Sequence, residues 1–357
     1  MGDALRYGII GSGMMGIEHL LNLAHVPGAE VTAIADPHGG SRDWARSAAP
    51  EDVRFEEFED HAELLASGLC DVVVIATPNM THHDVLLDVL ATDLHVLVEK
   101  PLCTTVADCR DVIEAAADRQ GVVWVGLEYR YMPPVSRLVR AVHDAEIGQL
   151  HMIGIREHRF PFLRKIGDWN RFDRNTGGTL VEKCCHYFDL MNHMVGRRPV
   201  RVMASGAQDV NHLDERYDGE VPDIIDNAMV IVEYENGVRA SLDLCMFAEG
   251  STNAEELSVV GDAGKAEAFL PSKEFRLGTR AAGRDGVTSE IVTDDRVRWE
   301  GFHHGSSYLE HLDFLATCRS GSTPVVSLED GLWSVAVGVA AQRSIVEQRV
   351  VVLDDVL

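Results

Sequence analysis

The stretch Tyr7-Gly8-Ile9-Ile10-Gly11-Ser12-Gly13-Met14-Met15-Gly16 decides the fold. Tyr7 to Ile10 suits a short buried strand. Ile17, Leu20, Leu21 and Ala24 then recur at helical spacing. A strand, a glycine turn and a helix in that order form a dinucleotide-binding fingerprint. Gly11 makes the tight turn, Gly13 lets the backbone approach a pyrophosphate, and Gly16 lets helix and strand pack closely. The helix N-terminus, with Ser12, Met14 and Met15 around it, presents N–H groups to an anion. Glu30 to Ala35 reads as the second strand and ends in Asp36, 20 residues after Gly16. An acid there can accept hydrogen bonds from an adenosine ribose. The opposing interpretation is a glycine turn in some other α/β protein, with Asp36 capping a loop. Strand, glycines, helix, second strand and acid all in register weigh against it.

The 357 residues suggest about two domains. A hydrophobic share of 46% is ordinary for a globular protein. No apolar run is long enough to cross a bilayer. The first strand begins by residue 7, so no signal peptide is expected before it. Gly2 is followed by Arg6 where a myristoylation site needs Ser or Thr. The net charge of −25, from 57 acids against 32 bases, repels phosphate backbones and disfavours nucleic acid as a partner. Lysine is scarce, at positions 100, 165, 183, 265 and 273. Seven cysteines without a CxxC pair fit free thiols in a reducing cytoplasm.

Downstream, strands alternate with helices. Strands are expected at Val53–Phe55, Asp71–Ala76, Leu94–Val98 and Val122–Val125. Helices are expected at Arg42–Ala49, Ala62–Ala66, from His82 to about Ala91, and from Thr105 to Asp118. That pattern predicts a doubly wound parallel sheet over residues 1–126. Ligands in such sheets sit at the carboxyl ends of strands, where Asp36, Thr77-Pro78-Asn79 with His82, and Glu99-Lys100-Pro101 fall. Lys100 is there either an ordinary solvated strand end or a donor facing the cofactor.

Residues 127–357 read differently. After a helix over Pro134–Glu146 come strands at His151–Arg159, Val200–Gly206, Asn227–Tyr234, Val238–Phe247, Glu256–Val260 and Lys265–Leu270. Asn236-Gly237 is a hairpin signal. A large, mostly antiparallel, open-faced sheet is expected, interrupted by one long helix over Gly178–Val195. Helices near Tyr308–Arg319 and Leu328–Val346 close the chain.

That long helix carries an apolar stripe of Val181, Cys184, Phe188, Met191 and Val195. Glu182, His186, Asp189 and His193 share another face. The face is either the wet side of an amphipathic helix or an active site, in which the acid orients the imidazole as a general base. A third interpretation, zinc or iron on these four residues, has no second metal-type cluster behind it. Cys184-Cys185 reads as small core packing.

Together these features resemble the Gfo/Idh/MocA oxidoreductases over nearly the whole chain. The resemblance rests on GSGMMG, Asp36, ATPNMTHH at Ala76–His83, VEKPL at Val98–Leu102, GGTLVEKCCHYFDL at Gly177–Leu190 and SLEDGLWSV at Ser327–Val335. The EKP tripeptide after a fifth Rossmann strand is the most specific of these, and it assigns Lys100 to the site. The resemblance implies a Rossmann domain, then an open sheet whose outer face forms a dimer or tetramer interface. It also implies that Lys100 and His186 take part in proton transfer. The family usually has Asp-x-Gly-x-His where this chain has Glu182-Lys183-Cys184-Cys185-His186.

The expected reaction is oxidation of a secondary alcohol of a sugar, glycoside or cyclitol. His186 is the base, supported by Glu182. Lys100 stabilises the alcohol oxygen, and Asp189 meets a neighbouring hydroxyl. Asp36 favours NAD by repelling a 2′-phosphate, and Arg42 leaves NADP open. Arg156–Asn175 is rich in arginine and aromatic residues. It is either a substrate loop, with Trp169 stacking on a sugar and Arg159, Arg164 or Lys165 meeting a hydroxyl or carboxylate, or a site of subunit contact and local charge balance. His303-His304 is an ordinary surface turn or reaches the site. The alternative function is a glycoside hydrolase or lyase that retains NAD and oxidises C3 transiently. A non-catalytic NAD-dependent sensor would need neither Lys100 nor His186.

Overall fold

The structure, a computed structural model, describes residues 4–357. It opens with β1 (Leu5–Ile10), α1 (Met14–Leu23), β2 (Ala29–Ala35), α2 (Gly39–Ala48), β3 (Glu56–Phe58) and α3 (His61–Ala66). There follow β4 (Val72–Ile75), α4 (His82–Leu90), β5 (His95–Glu99), α5 (Val106–Ala116) and β6 (Val123–Gly126). The six strands lie in the order β3-β2-β1-β4-β5-β6, every neighbour parallel. The order reverses between β1 and β4, which is where such sheets bind ligands. All four β4 residues are buried, as a parallel strand covered on both faces requires. Thr105 caps α5, its Oγ1 accepting the Asp108 N–H at 3.1 Å. The third strand lies three residues beyond Val53–Phe55. Its first residue, Glu56, is solvent-exposed, and this short edge strand carries no apolar run to mark it.

The chain continues through α6 (Pro133–His143), β7 (Leu150–His158), α7 (Asp173–Thr176), α8 (Thr179–Glu182) and α9 (Cys185–Val195). Then come β8 (Pro199–Ala207), β9 (Asn227–Tyr234), β10 (Arg239–Cys245), β11 (Glu255–Gly261), β12 (Gly264–Leu270), β13 (Glu274–Thr279) and β14 (Thr288–Ile291). The last elements are α10 (Ser306–Ser320), α11 (Leu328–Glu347) and β15 (Val351–Val352). The second sheet has the order β14-β13-β12-β11-β7-β10-β9-β8-β15. Its neighbours are antiparallel except β7 and β10, which run parallel. The Asn236-Gly237 hairpin forms between β9 and β10, with Gly237 at φ +82°. Inward residues Val230, Val232, Leu242, Leu244, Leu257 and Val259 are buried, and α6 and α9 pack on the sheet.

By contact the chain forms two compact units. One comprises the residues up to Tyr131 with Arg296–Leu332, and the other comprises Met132–Asp295 with Trp333–Leu357. Among the described residues no helix is long and apolar enough to cross a membrane.

The helix read as continuous from Gly178 to Val195 is broken at Lys183-Cys184. Both residues keep right-handed helical angles, but the ladder slips. Cys184 N–H donates to Thr179 O at 3.4 Å, five residues back, and Tyr187 N–H donates to Cys184 O at 2.9 Å, three back. The Cys185 thiol donates to Glu182 O at 3.5 Å across the break. Such bulges in a helical ladder often occur at functional sites.

Candidate active site

In the first unit, the glycine turn makes an anion cradle. Gly11 has φ +92°, and a Cβ there would collide with the Ala76 carbonyl. A Cβ on Gly16 would collide with the Gly11 carbonyl. At Gly13 a Cβ would meet nothing within 4 Å, so open space lies where a phosphate group would approach. Gly13 is the N-cap of α1 and makes no side-chain capping bond. The first turn, with the half-buried Met14 and Met15, contains no acid, so its N–H groups suit an anion.

Asp36 ends β2 and is held by two backbone donors. Ser12 N–H reaches its Oδ2 and His38 N–H its Oδ1, both at 2.8 Å. The carboxylate is thereby oriented with acceptor capacity left for a ribose. Arg42 donates to the Asp36 carbonyl at 2.5 Å and to Glu59 at 2.8 Å. Bound in this way, its guanidinium is committed within the protein, and the residues present fit NAD.

The loops after β4 and β5 are tied by His82. This residue is wholly buried, with Nδ1 2.8 Å from Pro101 O and Nε2 3.1 Å from Thr77 O. Burial lowers its pKa. His82, expected at the cofactor, thus braces the loops after β4 and β5 against one another. Thr77 accepts a hydrogen bond from Thr81 Oγ1 at 2.8 Å, and Asn79 is buried in the following turn.

Glu99 is buried, 5% exposed. Its Oε1 meets His19 Nε2 at 3.0 Å, and its Oε2 accepts the Lys100 N–H at 3.1 Å. Burial works against its charge, but the His19 bond, the His19 charge and Lys100 outweigh it, so the Glu99 pKa lies below the ordinary value. Lys100 itself is half-buried, and its bond to Pro101 is cis. His303 Nδ1 lies 3.7 Å from Glu128 Oε1, and His304 is left-handed at φ +57°.

In the second unit, Glu182 closes α8 while His186 and Asp189 lie on α9, all three buried. Lys183 forms an ion pair with Glu157 of β7, Nζ to Oε1 3.0 Å. Asp189 is 1% exposed, as deeply buried as His186 at 2%. Tyr234 is pushed up by burial and by the Asp189 charge. His193 packs on His143, ring centroids 5.2 Å apart. Among the described residues the group whose ligand atoms converge within 4.8 Å is His83, Asp108 and Asp111. Cys184 and Cys185 are both fully buried.

The arginines of 156–175 mostly meet acids. Arg156 pairs with Asp243, Arg164 with Asp168, Arg171 with Glu215 and Arg174 with Glu220. Arg159 lies over Phe160 and 3.4 Å from Glu157. These pairs contribute to local charge balance. Trp169 is half-buried in a kinked turn, its carbonyl accepting the Asn175 side chain at 2.9 Å.

Asp173 was missed at the sequence level. One oxygen, Oδ1, is buried with no hydrogen-bond partner. Burial, then the charges of Asp223 and Glu182, push its pKa up to about 7. Its neighbour Gln342 donates to Oδ2 at 3.4 Å from 169 residues away, so no local signal marks it.

The description "Oxidoreductase family, NAD-binding Rossmann fold" matches residues 5–127, and "Oxidoreductase family, C-terminal alpha/beta domain" matches residues 139–353. The chain is 28% identical to myo-inositol 2-dehydrogenase of Thermotoga maritima over 99% of this chain and 100% of that one. It is 27% identical to scyllo-inositol 2-dehydrogenase (NAD(+)) of Bacillus subtilis over 96% and 95%. A solved probable dehydrogenase from Thermotoga maritima superposes with TM-score 0.79 at 25% identity, over 99% of this chain and 100% of that one. In fold the chain is also similar to levoglucosan dehydrogenase in complex with NADH and levoglucosan, with TM-score 0.85 at 21% identity over 98% and 99%. The two matched regions cover nearly the whole sequence, and the chain belongs to the Gfo/Idh/MocA oxidoreductase family, its first domain an NAD-binding Rossmann fold.

Proposed function

We propose that the protein is an NAD-dependent dehydrogenase that moves hydride between a secondary alcohol of a cyclitol or sugar and the nicotinamide. The observation that carries the proposal is Lys100 at the end of β5, in the same unit as the glycine cradle and Asp36. The inositol 2-dehydrogenases among the relatives favour a cyclitol over an open-chain alcohol. When bound, the nicotinamide supplies the hydride acceptor. The chain must then take the hydroxyl proton. His186 takes it, Glu182 supports the imidazole, and Lys100 offsets the negative charge that develops on oxygen. We further infer a homodimer or homotetramer formed through the outer face of the second sheet.

The test is NADH formation from NAD⁺ with a panel of inositols, aldoses, uronic acids and glycosides. Lys100→Ala and His186→Ala are each expected to lose about 10²–10⁴-fold in kcat, the range of a lost proton-transfer group. Undiminished turnover in both variants overturns the assignment. Release of aglycone without NADH overturns the net dehydrogenase in favour of redox-assisted glycoside cleavage.

A further inference from the structure

The break between α8 and α9 falls inside the segment that carries the proposed acid and base. Glu182 closes α8, and His186 is the second residue of α9. The turn between them is first wide and then tight. Cys184 N–H reaches five residues back to Thr179 O, and Tyr187 N–H only three back to Cys184 O. A wide turn rotates less about the axis per residue than an ordinary α-helical turn does. The angle between the Glu182 and His186 side chains therefore depends on the break.

One side chain in the break is fastened outside the helix. Lys183 is buried, and its Nζ lies 3.0 Å from Oε1 of Glu157, which is buried on β7. Arg159 Nη1 is 3.4 Å from the same oxygen. The other oxygen, Oε2, is buried with no hydrogen-bond partner. Glu255 of β11 is directly across from Glu157 in the sheet register. Burial pushes its carboxyl up to about 7 against the opposing charge of Lys183, so near neutrality it competes poorly for the ammonium. Withdrawing Lys183 would leave the Glu157 charge buried with one long contact to Arg159, which makes the pair a fixed point.

We propose that Lys183 is a positioning residue for His186: its bond to Glu157 holds the wide turn, and the wide turn sets the angle between the Glu182 carboxylate and the His186 imidazole. Without that anchor the ladder closes on the regular four-residue step, with Cys184 N–H bonded to Leu180 O. Everything beyond Cys184 then rotates about the helix axis relative to Glu182, His186 included. The inference deepens the proposed function and rests on His186 as the base.

Lys183→Met/Glu157→Gln removes the pair without stranding the Glu157 charge, so a folded protein can be compared with the parent. Single-turnover NADH formation, with an alcohol from the panel that the parent oxidises, should fall about 10²-fold, the cost of a small misplacement of a reacting group. The substrate concentration at half-saturation should stay near that of the parent, as expected when only the transition state loses an interaction. A merely structural pair would leave the rate at the parent value once stability is restored. A crystal structure of the double variant examines the backbone without any substrate and should show Cys184 N–H bonded to Leu180 O. A parent-like rate in the folded double variant, or the Thr179 bond retained in its structure, overturns the proposal. Turnover surviving in His186→Ala would instead overturn the assignment of the base, while the crystal structure still decides whether the pair holds the turn.

Discussion

Asp173 carries a pH signature that can be checked directly. Its folded pKa is pushed up to about 7 from 3.8, first by burial and then by Asp223 and Glu182. Folding therefore takes up a proton between those values. The contribution of Asp173 to stability is fully present below pH 3.8 and is lost as pH rises to about 7. Asp173→Asn cannot ionise, so urea midpoints should be nearly equal at pH 4 and higher for the variant at pH 8. An equal difference at both pH values would show that the carboxyl is not held neutral. Asp173 could not be picked out from the sequence because its surroundings come from Asp223 and Gln342, far along the chain. His19 was hidden differently, among the apolar residues of α1 that gave the helix its spacing. Asp36 and Lys100 were legible because each follows an apolar strand at its carboxyl end, a place the doubly wound fold reserves for ligands.

The break between α8 and α9 separates what a helical repeat predicts from what the chain does. Val181, Cys184 and Phe188 keep an apolar stripe across it, and Lys183 and Cys184 retain helical angles, so nothing in the pattern announces it. What holds it is tertiary. Lys183 leaves the break to pair with Glu157, at side-chain exposures of 7% and 0%. Removing one partner of so buried a pair leaves an uncompensated charge. Lys183→Met should therefore cost about 3 kcal/mol in urea unfolding. Lys183→Met/Glu157→Gln should recover most of that loss, since a neutral amide needs no cation. A single variant as stable as the parent would show that the pair does not anchor the break. The β13 and β14 strands were missed for a simpler reason. β14 is the edge strand and every residue of it is exposed, while β13 beside it offers only Phe275 and Leu277 as an apolar alternation.

Residues 296–332 return to the first unit after the second sheet is complete. Glu18 on α1 accepts the Phe302 N–H at 3.0 Å, and His311 comes back to His19. No hydrophobic stripe foretells this. α10 buries Glu310 and His311 as well as Tyr308, Leu309 and Phe314, so its pattern points to no single face. The outer face of the second sheet is easier to interpret. Met203 is across from Ile231, and Met229 is across from Ser205 and Asp243. Met152, Met203, Met229 and Ile231 are 55%, 49%, 60% and 40% exposed, a larger apolar display than single surface residues make. Arg201 with Glu233 and Arg156 with Asp243 put paired charges among them. An apolar centre with charged residues around it suits a second copy of the chain, as the inferred homo-oligomer requires. Each copy carries a net charge of −25, so association must overcome long-range repulsion. At an ionic strength of about 0.01 M that repulsion reaches roughly 30 Å, against about 8 Å at 0.15 M. Sedimentation velocity should therefore show a dimer or tetramer at the higher salt and partial dissociation at the lower. Met203→Asp/Ile231→Asp should give monomer at both salts while the far-ultraviolet circular dichroism is unchanged. If the double variant sediments with the parent, this face is not the contact; if the parent is monomeric at the higher salt, the chain does not self-associate through it.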